Sequence, residues 1–172
     1  MRHGPGLYRA DTRIQPGCDA AVPVPNLRRF GWIARPMHCQ HTLMDSERTA
    51  RRIDGLAAAR ALFAGLTGAT VEIAGIAYLA ADHRLLGVRF IRGDVDSVTI
   101  APRILTIDAL TFGAAGVIVA HNHPSGDARP SGHDLAHTRR VARALGGIEV
   151  RLLDHLVLGD GRVTSLRALG ML

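Results

Sequence analysis

The chain reads as an α/β domain whose mixed sheet carries helices on both faces. Three observations predict this. Short apolar runs such as Gly116-Val-Ile-Val-Ala120 are β-branched and bounded by glycine, as buried strands are. The segments near 102–114 and 131–145 carry helix signals: Pro102 suits an early helical position, Ser131 opens a helix, and Gly146-Gly147 suits a stop. Strands and helices also alternate along the C-terminal two-thirds, which favours helices packed on a sheet.

Taken in order, residues 1–45 are rich in Gly, Pro and Arg and show no sustained period. Pro5, Pro16, Pro23, Pro25 and Pro36 argue against long helices or central strands there. The expectation is a flexible leader, with Met37 and Met44 as later candidate starts. The domain is then expected over 46–172. Asp45 or Ser46 would cap a helix over about 46–66, with Ile53, Leu56 and Ala57 on its apolar face. Strands are expected near 70–80, 84–92, 116–120, 148–153 and 155–158, with a last extended piece near 162–165. No internal repeat is evident.

The densest chemistry lies in His121-Asn-His-Pro-Ser-Gly-Asp-Ala-Arg-Pro-Ser-Gly-His-Asp134, directly after the apolar run. Residues two apart on an extended chain point to one side, so His121 and His123 can converge beyond the strand end. Pro124, Ser125 and Gly126 force a turn, and Asp134 sits three residues into the next helix. Two neutral imidazoles and a carboxylate are a common ligand set for catalytic Zn²⁺, with the fourth position left to water. Each fragment has a plainer reading. With nine histidines, a His-x-His pair arises readily by chance, and Ser131-x-x-Asp134 is also an acceptable capping box. Their combination after one strand favours the metal.

Such a site needs a base for the bound water. Glutamate occurs only at 47, 72 and 149. Glu47 and Glu149 read as surface charges. Glu72 enters the apolar stretch through Ala80 and is the best candidate, against the alternative of a solvated carboxylate at a strand end.

At this point Glu72…His121-x-His123…Ser131-x-x-Asp134 resembles the JAMM signature of JAB/MPN zinc metalloproteases. The flanking text is similar to the bacterial RadC-type branch: Val95-Asp-Ser-Val98, Ala101-Pro-Arg103, Ala109-Leu110, Ala120-His-Asn-His-Pro-Ser-Gly126, Pro130-Ser131 and Leu153-Asp-His155. The likeness covers about residues 68–172. It implies a three-layer α/β/α sandwich like that of cytidine deaminases. It also implies zinc on His121, His123 and Asp134, Glu72 acting through the metal-bound water, and Ser131 stabilising the oxyanion. Ala74, Asp94 and Ile104 depart from the branch's usual residues, and none is itself a proposed ligand.

The implied activity is zinc-dependent hydrolysis of a peptide or isopeptide bond, with a peptide or protein as partner. Two alternatives stay open: a nucleic-acid-binding module associated with DNA repair, and a zinc-bound scaffold without catalysis. The net charge is +6 and all 21 basic residues are arginine. Arginine binds phosphate, but these are scattered and aromatics for base stacking are few, so at most weak DNA binding is expected. No stretch approaches the ~20 apolar residues that span a bilayer, and the first residues lack a signal-peptide core. With only Cys18 and Cys39, a disulfide framework is not expected. These features point to the cytoplasm. His38-Cys39-Gln40-His41 could attract a metal, but it lies in the loose segment. Asp154-His155 could supply a hydrogen bond that fixes a ligand imidazole, or equally be a buried polar pair that supports the adjacent loop, and His133 and His137 are expected on the surface.

Overall fold

The computed structural model describes residues 51–93 and 100–172. The expected leader, the helix cap at Asp45 or Ser46, the cluster at 38–41 and Asp94 lie outside the described residues. The described part contains β1 (Ile73–Leu79), β2 (Leu85–Arg92), β3 (Gly116–Asn122), β4 (Arg151–Leu158) and β5 (Val163–Ser165). Around them lie helices α1 (Leu56–Phe63), α2 (Pro102–Phe112) and α3 (Gly132–Gly146).

The strands form one mixed sheet in the order β2-β1-β3-β4-β5. β1 is antiparallel to both β2 and β3, β3 is parallel to β4, and β5 returns antiparallel to β4. Strand alternation divides the apolar side chains between two cores. Ala74, Ile76, Tyr78, Val117 and Val119 pack with Leu105 and Ala109 of α2 and with Val141 and Leu145 of α3. Ile73, Ala77, Leu79, Ile118, Ala120, Leu156 and Leu158 pack with Ala59 and Phe63 of α1. The result is the expected α/β/α sandwich with a mixed central sheet, in which every residue of β1 and β3 is buried because both faces are covered.

Two expectations are corrected. The helix expected over 46–66 begins at Leu56. Before it the chain is extended: Arg52 bridges Arg84, Ile53 N–H donates to the His83 carbonyl, and Leu85 N–H donates to that of Arg51. Gly55 at φ 89° turns the chain between the two conformations, a backbone region that side chains with a Cβ rarely adopt. Ile53 is therefore buried through a strand-like contact on the α1 side rather than through a helical face. Secondly, the two strands expected over 148–153 and 155–158 are one strand.

That strand holds a bulge. Val117 faces Leu152, but Ile118 faces Asp154 and Val119 faces His155, leaving Leu153 as an extra residue. Val117 and Val119 belong to the α2/α3 side, so the bulge sends His155 to that side as well. On the same side, Asp108 of α2 accepts from the Tyr78 hydroxyl at 2.9 Å and from Arg89 of β2 through both carboxylate oxygens. This bidentate contact ties α2 to the sheet. Among the described residues, no helix is long and apolar enough to cross a membrane.

Candidate metal centre

β3 delivers His121 as its penultimate residue, and His123 follows one residue beyond its end. α3 brings Asp134 from its first turn. The three meet: His121 Nε2 lies 3.0 Å from His123 Nε2 and 3.2 Å from Asp134 Oδ1, and His123 Nε2 lies 3.4 Å from Asp134 Oδ2. A small cation holding N and O ligands at about 2.05 Å in a tetrahedron needs ligand atoms roughly 3.3 Å apart. The three side chains fit that requirement, and they are the one cluster of this kind among the described residues. They could bind a metal ion.

Each ligand is held from behind. His123 Nδ1 donates to the Asp127 carbonyl at 2.7 Å, which leaves its Nε2 lone pair facing the other two groups. The loop that supplies this carbonyl is latched to the turn after β4. His123 N–H donates to Leu158 O and Asp160 N–H to Gly126 O, both at 2.9 Å. Gly159 makes the latch possible, since a Cβ there would stand 2.2 Å from Gly126 O and 2.7 Å from Ala128 N.

Asp134 is anchored by the capping box that was the plainer reading of its sequence. Its Oδ2 accepts from the Ser131 backbone at 2.7 Å and from the Ser131 hydroxyl at 2.6 Å, while its own N–H donates to Ser131 Oγ at 3.1 Å. Capping box and ligand placement are compatible because Oδ1 stays directed at His121. Burial alone would raise the Asp134 pKa, but the neighbouring His121 and the hydrogen bonds from Ser131 outweigh it and hold the carboxyl well below the usual range. Asp134 stays ionised, as a ligand must.

Glu72 stands just before β1, half-buried, with its carbonyl accepting from Gly93 N–H at 2.8 Å. The pairing of β1 with β3 ends at Ala74–His121, so Glu72 lies two residues before the strand partner of the first candidate ligand. Ser131 caps α3, so its hydroxyl is committed to Asp134 and reaches a substrate oxyanion only by leaving that bond.

Two contributors escaped the sequence reading. Asn122, between the histidines and on the opposite face, accepts from Ile73 N–H at 2.8 Å and donates to the carbonyls of Ala69 and Val71. It pins the segment that carries Glu72. Thr138 lies one helical turn after Asp134 and donates to the Asp134 carbonyl at 2.6 Å. Both positions are legible only when the facing strand is known.

Asp154 and His155 divide their work. His155 Nε2 lies 3.0 Å from His121 Nδ1, one of the two roles the sequence left open for the pair. Asp154 turns away and accepts from the Ser165 hydroxyl and the backbone of His155 and Arg167, tying the end of β5 and the residues after it to β4. His133 is exposed as expected, whereas His137 is buried at 4% exposure with neither ring nitrogen hydrogen-bonded. It shares a helix side with Val141 and the sheet-facing half of α3, and packing there excludes it from the surface.

Burial, then the nearby charge of Arg140, pushes the His137 pKa down to about 4. Burial, then the neighbouring His121, pushes that of His155 down to about 3. Each ring therefore binds fewer protons folded than unfolded between those values and about 6.5, so stability falls as pH drops below about 6.5. The metal-free chain should lose roughly 2 kcal/mol per histidine between pH 6.5 and pH 5, with Asp134 contributing only at lower pH. Urea unfolding at a series of pH values reads this directly, and a midpoint unchanged across that window would contradict the buried neutral rings.

The comparisons with known proteins agree with this arrangement. The family model for the RadC-like JAB domain matches residues 54–171. A UPF0758 protein of Alcanivorax borkumensis is 45% identical over 114 residues, covering 66% of this chain and 51% of that protein. One of Halorhodospira halophila is 47% identical over 102 residues, covering 59% and 46%. One of Xanthomonas campestris pv. campestris is 39% identical over 132 residues, covering 76% and 59%. The chain thus spans about half the length of these relatives. With the matched region covering the whole sheet and all three candidate ligands, the chain belongs to the RadC-like JAB domain family.

Proposed function

We propose that the domain is a zinc-dependent hydrolase of peptide or isopeptide bonds. The observation that carries this reading is the convergence of His121 Nε2, His123 Nε2 and the Asp134 carboxylate within 3.4 Å contacts. Two imidazoles and one carboxylate suit zinc and leave a position for water. Zinc held there would lower the pKa of a bound water from 15.7 toward about 7 and polarise a carbonyl.

The chain's own groups do the rest. Glu72, at the entry to the strand that pairs with His121, takes a proton from the attacking water and returns it to the leaving amine. Asp134 contributes one negative charge, which keeps the centre net positive toward a developing oxyanion. The Ser131 hydroxyl holds Asp134 in the resting site and, on leaving that bond, donates to the oxyanion. His123 and the Asp127 carbonyl keep the loop after β3 in place. The natural partner in this reading is a peptide or protein, in the cytoplasm, with at most weak DNA binding through scattered arginines.

Chelation separates this from a DNA-binding module. For the hydrolase, a chelator abolishes cleavage of a broad peptide and isopeptide set by the full chain, zinc restores it, and moderate salt has little effect. For a DNA module, affinity survives chelation and falls steeply with salt, because it comes from arginine–phosphate contacts. Tight, salt-sensitive, sequence-selective DNA binding with no cleavage would overturn the proposal.

A further inference from the structure

We propose that Thr138 and His155 are positioning residues: together they form a directional hydrogen-bond relay that fixes His121 as its Nδ1–H tautomer. The proposal rests on the metal-centre reading above and adds a device to it. Both residues are almost fully buried, at 1% and 2% exposure, so water does not substitute for either.

The direction follows from counting hydrogens. Thr138 Oγ1 lies 2.6 Å from the Asp134 carbonyl oxygen and 2.6 Å from His155 Nδ1. Contacts this short each need a hydrogen between the atoms. The hydroxyl has one hydrogen, and the carbonyl can only accept. The hydroxyl hydrogen therefore goes to Asp134, and the second must come from His155 as Nδ1–H. A neutral imidazole has one N–H, so His155 Nε2 is an acceptor. It faces His121 Nδ1 at 3.0 Å, so His121 donates there and its Nε2 is left with a bare lone pair.

That lone pair points at the lone pair of His123 Nε2 and at the Asp134 carboxylate. The opposite polarity is the natural alternative for these rings. His121 Nε2–H would then donate to Asp134 Oδ1, and no lone pair would remain for a metal. Reaching that state requires His155 to carry its hydrogen on Nε2 and Thr138 to turn its hydroxyl away from Asp134. The backbone carbonyl of one ligand thus sets the tautomer of another, through two side chains that touch no metal. Outer hydrogen bonds of this kind commonly fix a ligand ring.

The test uses the full chain with two variants and two readouts. Ring-nitrogen NMR of the metal-free protein should show hydrogen on Nδ1 of both His121 and His155. In Thr138→Val, His155 should shift its hydrogen to Nε2, His121 should follow, and zinc affinity, measured by competition with a coloured chelator, should fall about 10–100-fold. Thr138→Ser keeps the hydroxyl and should restore tautomers and affinity to within a few-fold. Hydrogen on Nε2 of His155 in the unsubstituted protein would overturn the relay, whether or not the valine variant folds. So would a folded Thr138→Val that binds zinc within twofold of the unsubstituted chain. If the unsubstituted chain takes up no zinc, the metal-centre reading fails, and the nitrogen spectrum still decides the relay.

Discussion

Glu72→Gln should keep zinc at one per chain and lower hydrolysis at least about 10²-fold, the usual scale for removing a general base. Glutamine preserves the size and hydrogen-bonding shape of the side chain but cannot take a proton near neutral pH. The strand entry should be unaffected, because Asn122 and Gly93 hold it through backbone groups of Ala69, Val71, Glu72 and Ile73. Turnover and metal content are therefore expected to separate. If zinc leaves with the carboxylate, Glu72 is itself a ligand and the proton-transfer role is wrong. If turnover is unchanged, another group is the base.

The second large effect is on the metal. His121→Ala, His123→Ala or Asp134→Ala should each remove most bound zinc, and with it all chelator-sensitive turnover. Two remaining ligands lose the chelate geometry, and loss of Asp134 also strips the charge that offsets the cation. Asp134→Ala has a further consequence, since Asp134 closes the capping box on α3 with Ser131. Losing the Asp134 half of that box should cost on the order of 1 kcal/mol of stability, an effect the two histidine variants lack. Elemental analysis of purified protein gives the stoichiometry. Full zinc occupancy in a His121→Ala, His123→Ala double variant would refute the assignment.

The cluster that could bind a metal was legible because its signals are local. His121 and His123 sit two apart at a strand end, and Ser131 with Asp134 forms a capping box in three residues of separation. The core strands β1 and β3 were legible for the same reason, as runs of apolar residues. What sequence did not reveal depends on partners distant in the chain. Whether a strand pauses at Asp154 or runs through it depends on how β3 accommodates an extra residue, and Leu153 has no feature that announces a bulge. The start of α1 turns on Gly55, which the apolar spacing of Ile53 and Leu56 conceals. His137 reads as a surface residue by type, yet the side of α3 it occupies is fixed by Asp134 one turn before it.

The strand directions have an evolutionary and practical corollary. β3 and β4 run parallel while β1 runs against them, so the two strand exits, the entry to β1 and the start of α3 gather along one rim of the sheet. The opposite rim is made of the turns around Asp82, Gly113 and Glu149, which carry none of the proposed chemistry. The two ends of the sheet therefore answer to different demands. Sequence drift, insertions, fused labels or immobilisation chemistry can be absorbed near Asp82 or Glu149, both solvent-facing, without reaching the ligands. Variation on the ligand rim instead alters what the domain can do.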